Sequence, residues 1–430
     1  MSPESHAAKD GNVSVVVEKI DGPAIALRES IDWTNFYKHL QIGALPLLTL
    51  PVLSAYGLYT TGVHSRTMQL TFAAYMISTL SITAGYHRLF SHKAYSSSSI
   101  LKALLLCAGA GTGEGSCKWW VRGHRAHHRY SDTDHDPYGV HEGFFHAHFG
   151  WMIFTPRFKP GHVDMSDIAK DKLVLWQHKH YITLFFIFGF IIPLCIAGFG
   201  WGDWRGGFYY ACCLRMTLAH HATFCVNSVA HYFGEASYDD SRSPRDHILT
   251  AIITNGEGYH NFHHEFPNDY RNTVQWYQYD PTKVLIWFCS VIGLASDLNR
   301  TGDQVIQKSA VQMEQKVLDR KKAQLSWPQA DLPEMGEREF KFLAKTRKLV
   351  ICNGYVHDLE TFAAEHPGGV GFINANLSKD VTEKFNGSVY KHSNSANNIL
   401  QMLRIASYRE TVPPVTGPEF ELPQHTSRAA

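Results

Sequence analysis

Charge selects no partner for this chain: 40 Lys and Arg stand against 39 Asp and Glu, a formal net charge of +1 with only 18% of residues charged. No nucleic-acid partner is expected from that balance. Cysteine is sparse, and the eight residues, at 107, 117, 195, 212, 213, 225, 289 and 352, form no C-x-x-C. This argues against a thiolate zinc site or a redox disulfide motif. Several lie in apolar runs, where they read as small hydrophobes in reducing or membrane-buried surroundings. The first thirty-odd residues carry charges but no apolar core, so no cleavable signal peptide is expected and insertion rests on internal segments. A dinucleotide fingerprint is missing as well. GAGTGEG at 109–115 follows an apolar, helix-like run and not a strand, so it reads as a bend, and the chain is not expected to bind NAD or flavin itself.

What is abundant is histidine, 26 residues, and aromatic side chains, 13%. Neutral imidazole is the commonest metal ligand, so the surplus points first to metal or haem. With 430 residues the chain has room for two or three domains. Four stretches are long and apolar enough for a bilayer core of about 30 Å: 42–63, 67–86, 181–202 and 206–226. Pro46 and Pro51 are tolerable in the first, and the third, YITLFFIFGFIIPLCIAGFGWG, is the strongest. The fourth carries Arg215, His220 and His221, which at that depth face the protein interior or mark function. Only HSR and DWR separate the members of each pair, so two tight helical hairpins are predicted. The shorter runs 100–113 and 284–295 read as interfacial.

Three histidine clusters follow the spans. HRLFSH holds His87 and His92, HRAHH holds His124, His127 and His128, and HNFHH holds His260, His263 and His264. On a helix, i, i+3 and i+4 share a face, so each HxxHH aims three imidazoles at one point. Together the clusters supply nitrogens enough for two metal ions with positions left for oxygen. Glu257 precedes His260 by three, so the pattern alone leaves a carboxylate ligand open. An even number of predicted crossings separates the clusters, which puts all three on one side. That side also holds both termini and most Lys and Arg, and is therefore cytosolic.

NSVAHYFG at 227–234 and GEGYHNFHHEFPNDYR at 256–271, taken with the earlier clusters, resemble the stearoyl-CoA (acyl-CoA delta-9) desaturases, most nearly the fungal type with a fused cytochrome b5. The resemblance runs almost continuously over 35–300. It implies two irons bound by His87, His92, His124, His127, His128, His231, His260, His263 and His264, with Asn227 contributing through water. His231 is supplied by the resemblance and not by spacing. Arg122 matches a position that contacts the CoA moiety. The basic pair that animal enzymes carry after GW is not reproduced, because GWMIFTPRFKP displaces Arg157 and Lys159. Of the remaining histidines, His220 and His221 are candidates to support the site. His135, His146, His148, His178, His180 and His247 are expected to be exposed or hydrogen-bonded.

Near the C-terminus, EHPGG at 365–369 is followed by His392 in YKHSNS. The Pro-Gly-Gly turn brings backbone close to a porphyrin edge, and two histidines close both axial positions, which suits electron transfer and not oxygen chemistry. The segment resembles cytochrome b5, with His366 and His392 as the ligands of haem b. The expected architecture is an α-helical integral membrane desaturase, four transmembrane helices in two hairpins with a cytosolic helical cap, followed by a small α+β cytochrome b5-like domain. Its expected divisions are an N-terminal cytosolic tail (1–34), the desaturase domain (35–300), a charged linker (301–335), the haem domain (336–410) and a disordered tail (411–430). The resemblance implies a fatty acyl-CoA substrate, O2 as co-substrate, NADH-cytochrome b5 reductase as electron source, membrane lipid as surroundings, and the endoplasmic reticulum as location. A hydroxylase, a desaturase of lipid-linked chains, or a membrane-anchored haem carrier are the competing readings.

Overall fold

Each of the four apolar stretches forms a helix. The structure, a computed structural model, describes residues 41–410 except 42, 156–157, 328–330 and 389. The expected tails and Arg157 lie outside the described residues. The described chain divides between residues 318 and 319 into two compact units.

In the first unit, α1 (Ala44–Thr60) and α2 (Ser65–Leu80) follow one another across a short turn and both pack on the helix over 207–227, and α2 runs on as a π-helix over Ser81–Ser91. There follow β1 (Ser96–Ser97), α3 (Ser99–Ala110), α4 (Cys117–Tyr130) and α5 (Lys172–Lys179). The second predicted hairpin begins with α6 (Tyr181–Trp201), which ends at Gly202 in the left-handed conformation, φ +79°, the usual helix stop. Asp203 then caps the return, its Oδ1 accepting from Gly206 N at 2.8 Å, and the helix continues through a π segment, Gly207–Leu214, into α7 (Arg215–Asn227). Shorter elements follow, α8 (Val229–Tyr232), α9 (Ile248–Ile253), α10 (His260–Glu265), α11 (Pro281–Val291) and β2 (Ala295–Ser296), and then the long α12 (Asp303–Ala323), within which the division falls. The segment expected to be a charged linker is thus helical over its first part, and its Ile306 packs on Phe262 and Phe266.

Among the described residues one helix, α6, qualifies by length and composition as a membrane crossing, while α1, α3 and α11 are apolar but shorter. The helices at 65–91 and 204–227 are long, yet carry Thr, Gln, His and Arg inside them. Arg215 is 1% exposed. Its guanidinium donates to Gly111 O, Gly189 O and Ser78 Oγ, each at 2.9 Å, so the buried charge is hydrogen-bonded rather than paired. Cys212, Cys213 and Met216 pack with Leu50 of α1 and with Phe185, Phe190 and Leu194 of α6, which is the small-hydrophobe role expected of those cysteines. A second core joins Tyr86, Leu105, Leu106, Val121, Val174 and Ile286, and it fixes α3, α4, α5 and α11 around the end of the π-helix. β1 and β2 pair antiparallel, fastening the two ends of this cap together.

The second unit carries a four-stranded sheet, β3 (Glu334–Gly336), β4 (Leu349–Cys352), β5 (Tyr355–Asp358) and β6 (Arg404–Arg409), in the order β3-β6-β5-β4. Asn353 and Gly354, at φ 51° and 76°, make the two-residue hairpin that an Asn-Gly pair favours. Helices α13 (Glu337–Leu343), α14 (Val370–Asn374) and α15 (Asn394–Met402) complete it.

Candidate metal centre

His87 and His92 are five residues apart, a spacing that would turn them well away from each other on an α-helix. The π-helix resolves this. Its bonds run from i to i+5, as His92 N to His87 O shows at 3.2 Å, so residues five apart share a face. The two rings meet edge-on with centroids 4.9 Å apart. The other clusters lie on α4 and α10, where the i, i+3, i+4 rule applies as expected. Ser116 caps α4 by accepting from Trp119 N at 3.4 Å.

The nine histidines gather into two groups. His87, His92, His124, His128 and His263 form one, and His127, His231, His260 and His264 form the other, with ligand atoms inside each group within 4.8 Å of one another. Nε2 atoms face Nε2 atoms: 2.9 Å from His87 to His263, 2.8 Å from His92 to His124, 2.9 Å from His263 to His128, and 3.0 Å from His260 to His231. Nitrogens converging from several helices at such distances suit a cation held among them. His127 Nε2 is buried without any hydrogen-bond partner, as a waiting ligand atom would be. Burial first, then mutual repulsion, pushes His92, His124, His128, His260, His263 and His264 well below the ordinary imidazole value. The rings are therefore neutral, the form that binds metal. The donor set, all imidazole, suits iron.

Carboxylates stand behind these rings. Glu257 accepts from His87 Nδ1 at 2.8 Å and from Arg88 at 2.9 Å, and Arg88 in turn bridges to Asp280 at 3.0 Å. The carboxylate that spacing left open as a ligand thus lies on the far side of His87. Burial alone would raise the Glu257 carboxyl, but His87 and Arg88 hold it down at about 2. His127 Nδ1 contacts Asp136 at 3.0 Å. Such outer partners fix which nitrogen faces the metal. Spacing had marked Glu257 only as a possible ligand, and no sequence pattern pointed to Asp136.

A cavity of about 980 Å³ opens against His87, His124 and His260. Its walls are mostly apolar and aromatic, including Leu45, Leu47, Ile82, Trp119, Phe185, Phe186 and Phe224, and both Asn227 and Arg122 line it. Glu114 is a buried polar exception, accepting from Thr223 Oγ1 at 3.0 Å and Trp120 Nε1 at 3.4 Å; burial pushes its carboxyl up to about 7. His148 joins Ser228 Oγ at 2.8 Å to His221 Nδ1 at 3.0 Å, bracing the break between α7 and α8. His220 bonds Thr112 O at 2.7 Å, and His178 meets Ser116 Oγ at 2.7 Å.

Comparison with known proteins now decides the family. Residues 67–288 match the family described as "Fatty acid desaturase", and residues 336–409 match "Cytochrome b5-like Heme/Steroid binding domain". The Schizosaccharomyces pombe protein named "Probable acyl-CoA desaturase" is 47% identical over 403 residues, covering 92% of this chain and 84% of that protein. The chain belongs to the fatty acid desaturase family. A Caenorhabditis elegans "Delta(9)-fatty-acid desaturase fat-7" is 39% identical, covering 60% of this chain and 79% of its own length. The Sus scrofa "Stearoyl-CoA desaturase" is 34% identical, covering 62% and 76%.

The desaturase carries its cytochrome b5-like domain at 336–409, and there the two predicted haem histidines are arranged alike. His366 Nδ1 lies 3.3 Å from Gly369 O, and His392 Nδ1 lies 2.9 Å from Phe385 O. Each ring thereby spends Nδ1 on backbone, which leaves Nε2 as the nitrogen that would bind a haem iron. Gly368 packs so close that an added Cβ would lie 2.8 Å from His366 Cε1. Val370, Phe372, Ile399 and Met402 on the two helices that follow are exposed apolar side chains, a surface a porphyrin would cover. The residues present fit a bis-histidine haem.

Proposed function

We propose that this chain introduces a cis double bond, at the delta-9 position, into saturated fatty acyl-CoA such as stearoyl- and palmitoyl-CoA. The observation that carries this reading is the convergence of nine imidazoles in two groups at the wall of a large, mostly apolar cavity. In this reading His87, His92, His124, His128 and His263 hold one iron. His127, His231, His260 and His264 hold the other, with Asn227 contributing through water. Two irons so bound supply the O2-dependent oxidation that an unactivated alkyl chain requires. The protein's own part is positional. An alkyl chain has no polar handle, so the cavity wall decides which carbons lie beside the histidines. Arg122 is exposed at the cavity, where its guanidinium suits the phosphates of a CoA head.

Reduction of O2 to water takes four electrons; the substrate gives two, and His366 and His392 would hold a haem b, which would supply the other two one at a time. NADH-cytochrome b5 reductase is the external source in this reading. The helices at 44–60, 65–91, 181–201 and 204–227 serve as four crossings of the endoplasmic reticulum membrane, with the histidines and both termini on the cytosolic side. Exposed apolar side chains along them, such as Leu48, Val52, Ile192, Ile196 and Phe199, support contact with lipid.

The test is product analysis by gas chromatography. Microsomes holding the protein, given stearoyl-CoA, NADH and O2, are expected to yield the delta-9 monounsaturated product, and His127→Ala with His128→Ala to yield none. Hydroxylated product, or unsaturation that survives the double substitution, would overturn the reading.

A further inference from the structure

We infer that Ser243, backed by Asp132, is the positioning residue that fixes which nitrogen of His231 faces the four-histidine group. The inference rests on the reading that His231 binds iron. His231 is 6% exposed. Its Nε2 lies 3.0 Å from His260 Nε2, and its Nδ1 lies 2.7 Å from Ser243 Oγ. A serine hydroxyl has one proton. Here that proton is committed to Asp132 Oδ1 at 2.5 Å, while Ser243 N donates to Asp132 Oδ2 at 2.7 Å. Ser243 Oγ is left only to accept, so His231 must carry its proton on Nδ1 and present a bare Nε2 to the other histidines.

Both halves of this pair are held from outside. Asp132 follows the last histidine of α4 by four residues and adopts φ 64°, a left-handed backbone that Asp tolerates better than most residues. The loop bearing Ser243 is fastened to α10 by Asn261. Its Oδ1 accepts from Tyr238 N at 2.7 Å and Asp239 N at 3.2 Å, and its Nδ2 donates to Asp239 O at 2.6 Å and Pro244 O at 3.0 Å. Asp246 Oδ1 adds a bond from Asn261 N at 3.0 Å. One loop therefore ties together the three elements that supply the four-histidine group: α4 through Asp132, α8 through His231 and α10 through Asn261. Glu257 and Asp136 do for His87 and His127 by direct contact what Asp132 does for His231 through a hydroxyl. The consequence is confined to one group. Loss of Ser243 weakens the four-histidine position and leaves the five-histidine position as it was.

The test counts iron in the purified full-length protein, with haem as the internal standard, and follows its release to a ferrous chelator. Ser243→Ala and Asp132→Asn are each expected to release one of the two non-haem irons about 10 to 100 times faster, with the second iron and the haem unchanged. Ser243→Thr, which keeps the hydroxyl, is expected to restore slow release. His231→Ala is the reference. If it keeps both irons as tightly as the parent, the assignment of His231 itself fails. If it loses one iron while Ser243→Ala and Asp132→Asn lose none, the positioning inference alone is overturned. Release of both irons together, or a Thr variant as leaky as the Ala variant, also overturns it.

Discussion

His357 lies in β5 of the cytochrome b5-like domain, 1% exposed, with its Nδ1 lacking a partner. Burial, reinforced by Arg404, lowers it from 6.5 to about 4. The unfolded chain therefore binds this proton at a higher pH than the folded one does. Stability is full above about pH 6.5 and falls as pH drops toward 4, by on the order of 3 kcal/mol if this group acts alone. Urea titrations of the full chain, read at the haem absorbance, are expected to show that slope and to lose it in His357→Leu; equal slopes in both proteins would refute the assignment. At this scale the sequence was partly legible. Six of the clustered histidines announced themselves as i, i+3 and i+4, a helical repeat whatever the fold, and His87 and His92 as a pair five apart. His231, Asp136 and Ser243 did not, because each lies outside the clustered motifs; Glu257 did, three residues before His260, but as a possible ligand and not as the partner of His87.

At the scale of elements, the four long helices were legible from apolar runs and the short charged turns between them, whereas the π-helix at Ser81–Ser91 was not, since no residue pattern distinguishes it from an α-helix. Arg125 is the tie that holds this helix end against α4. It donates to Phe90 O at 2.8 Å and Ser91 O at 3.1 Å, and grips Asp167 with two bonds, at 2.7 and 2.8 Å. That grip holds the Asp167 carboxyl well below the usual carboxylate range. Residues 90 and 91 immediately precede His92, so Arg125 sets where that ring stands. Arg125→Ala is expected to speed iron release from the five-histidine group about tenfold or more. Arg125→Lys is not expected to rescue it, because a single ammonium cannot reproduce a planar fork. Rescue by Lys, measured by chelator competition, would mean that charge and not the fork does the tying.

The whole molecule joins an oxidation centre to its donor in one chain, and the join has a kinetic signature. The domains at 67–288 and 336–409 were both legible, since each carries its own histidine motif. Tethering replaces a bimolecular encounter by an intramolecular one with an effective concentration that reaches the millimolar range for short flexible linkers. A chain ended after residue 323, supplied with the separate haem domain, its reductase and NADH, is therefore expected to desaturate slowly. Its rate should rise in proportion to added haem domain through the micromolar range and match the intact chain only near ~1 mM. Steady-state product formation at increasing donor concentration measures this directly. Saturation at the intact rate with a few micromolar donor would show that an affinity between the two domains, and not the covalent connection, delivers the electrons, and the fusion would then need another explanation.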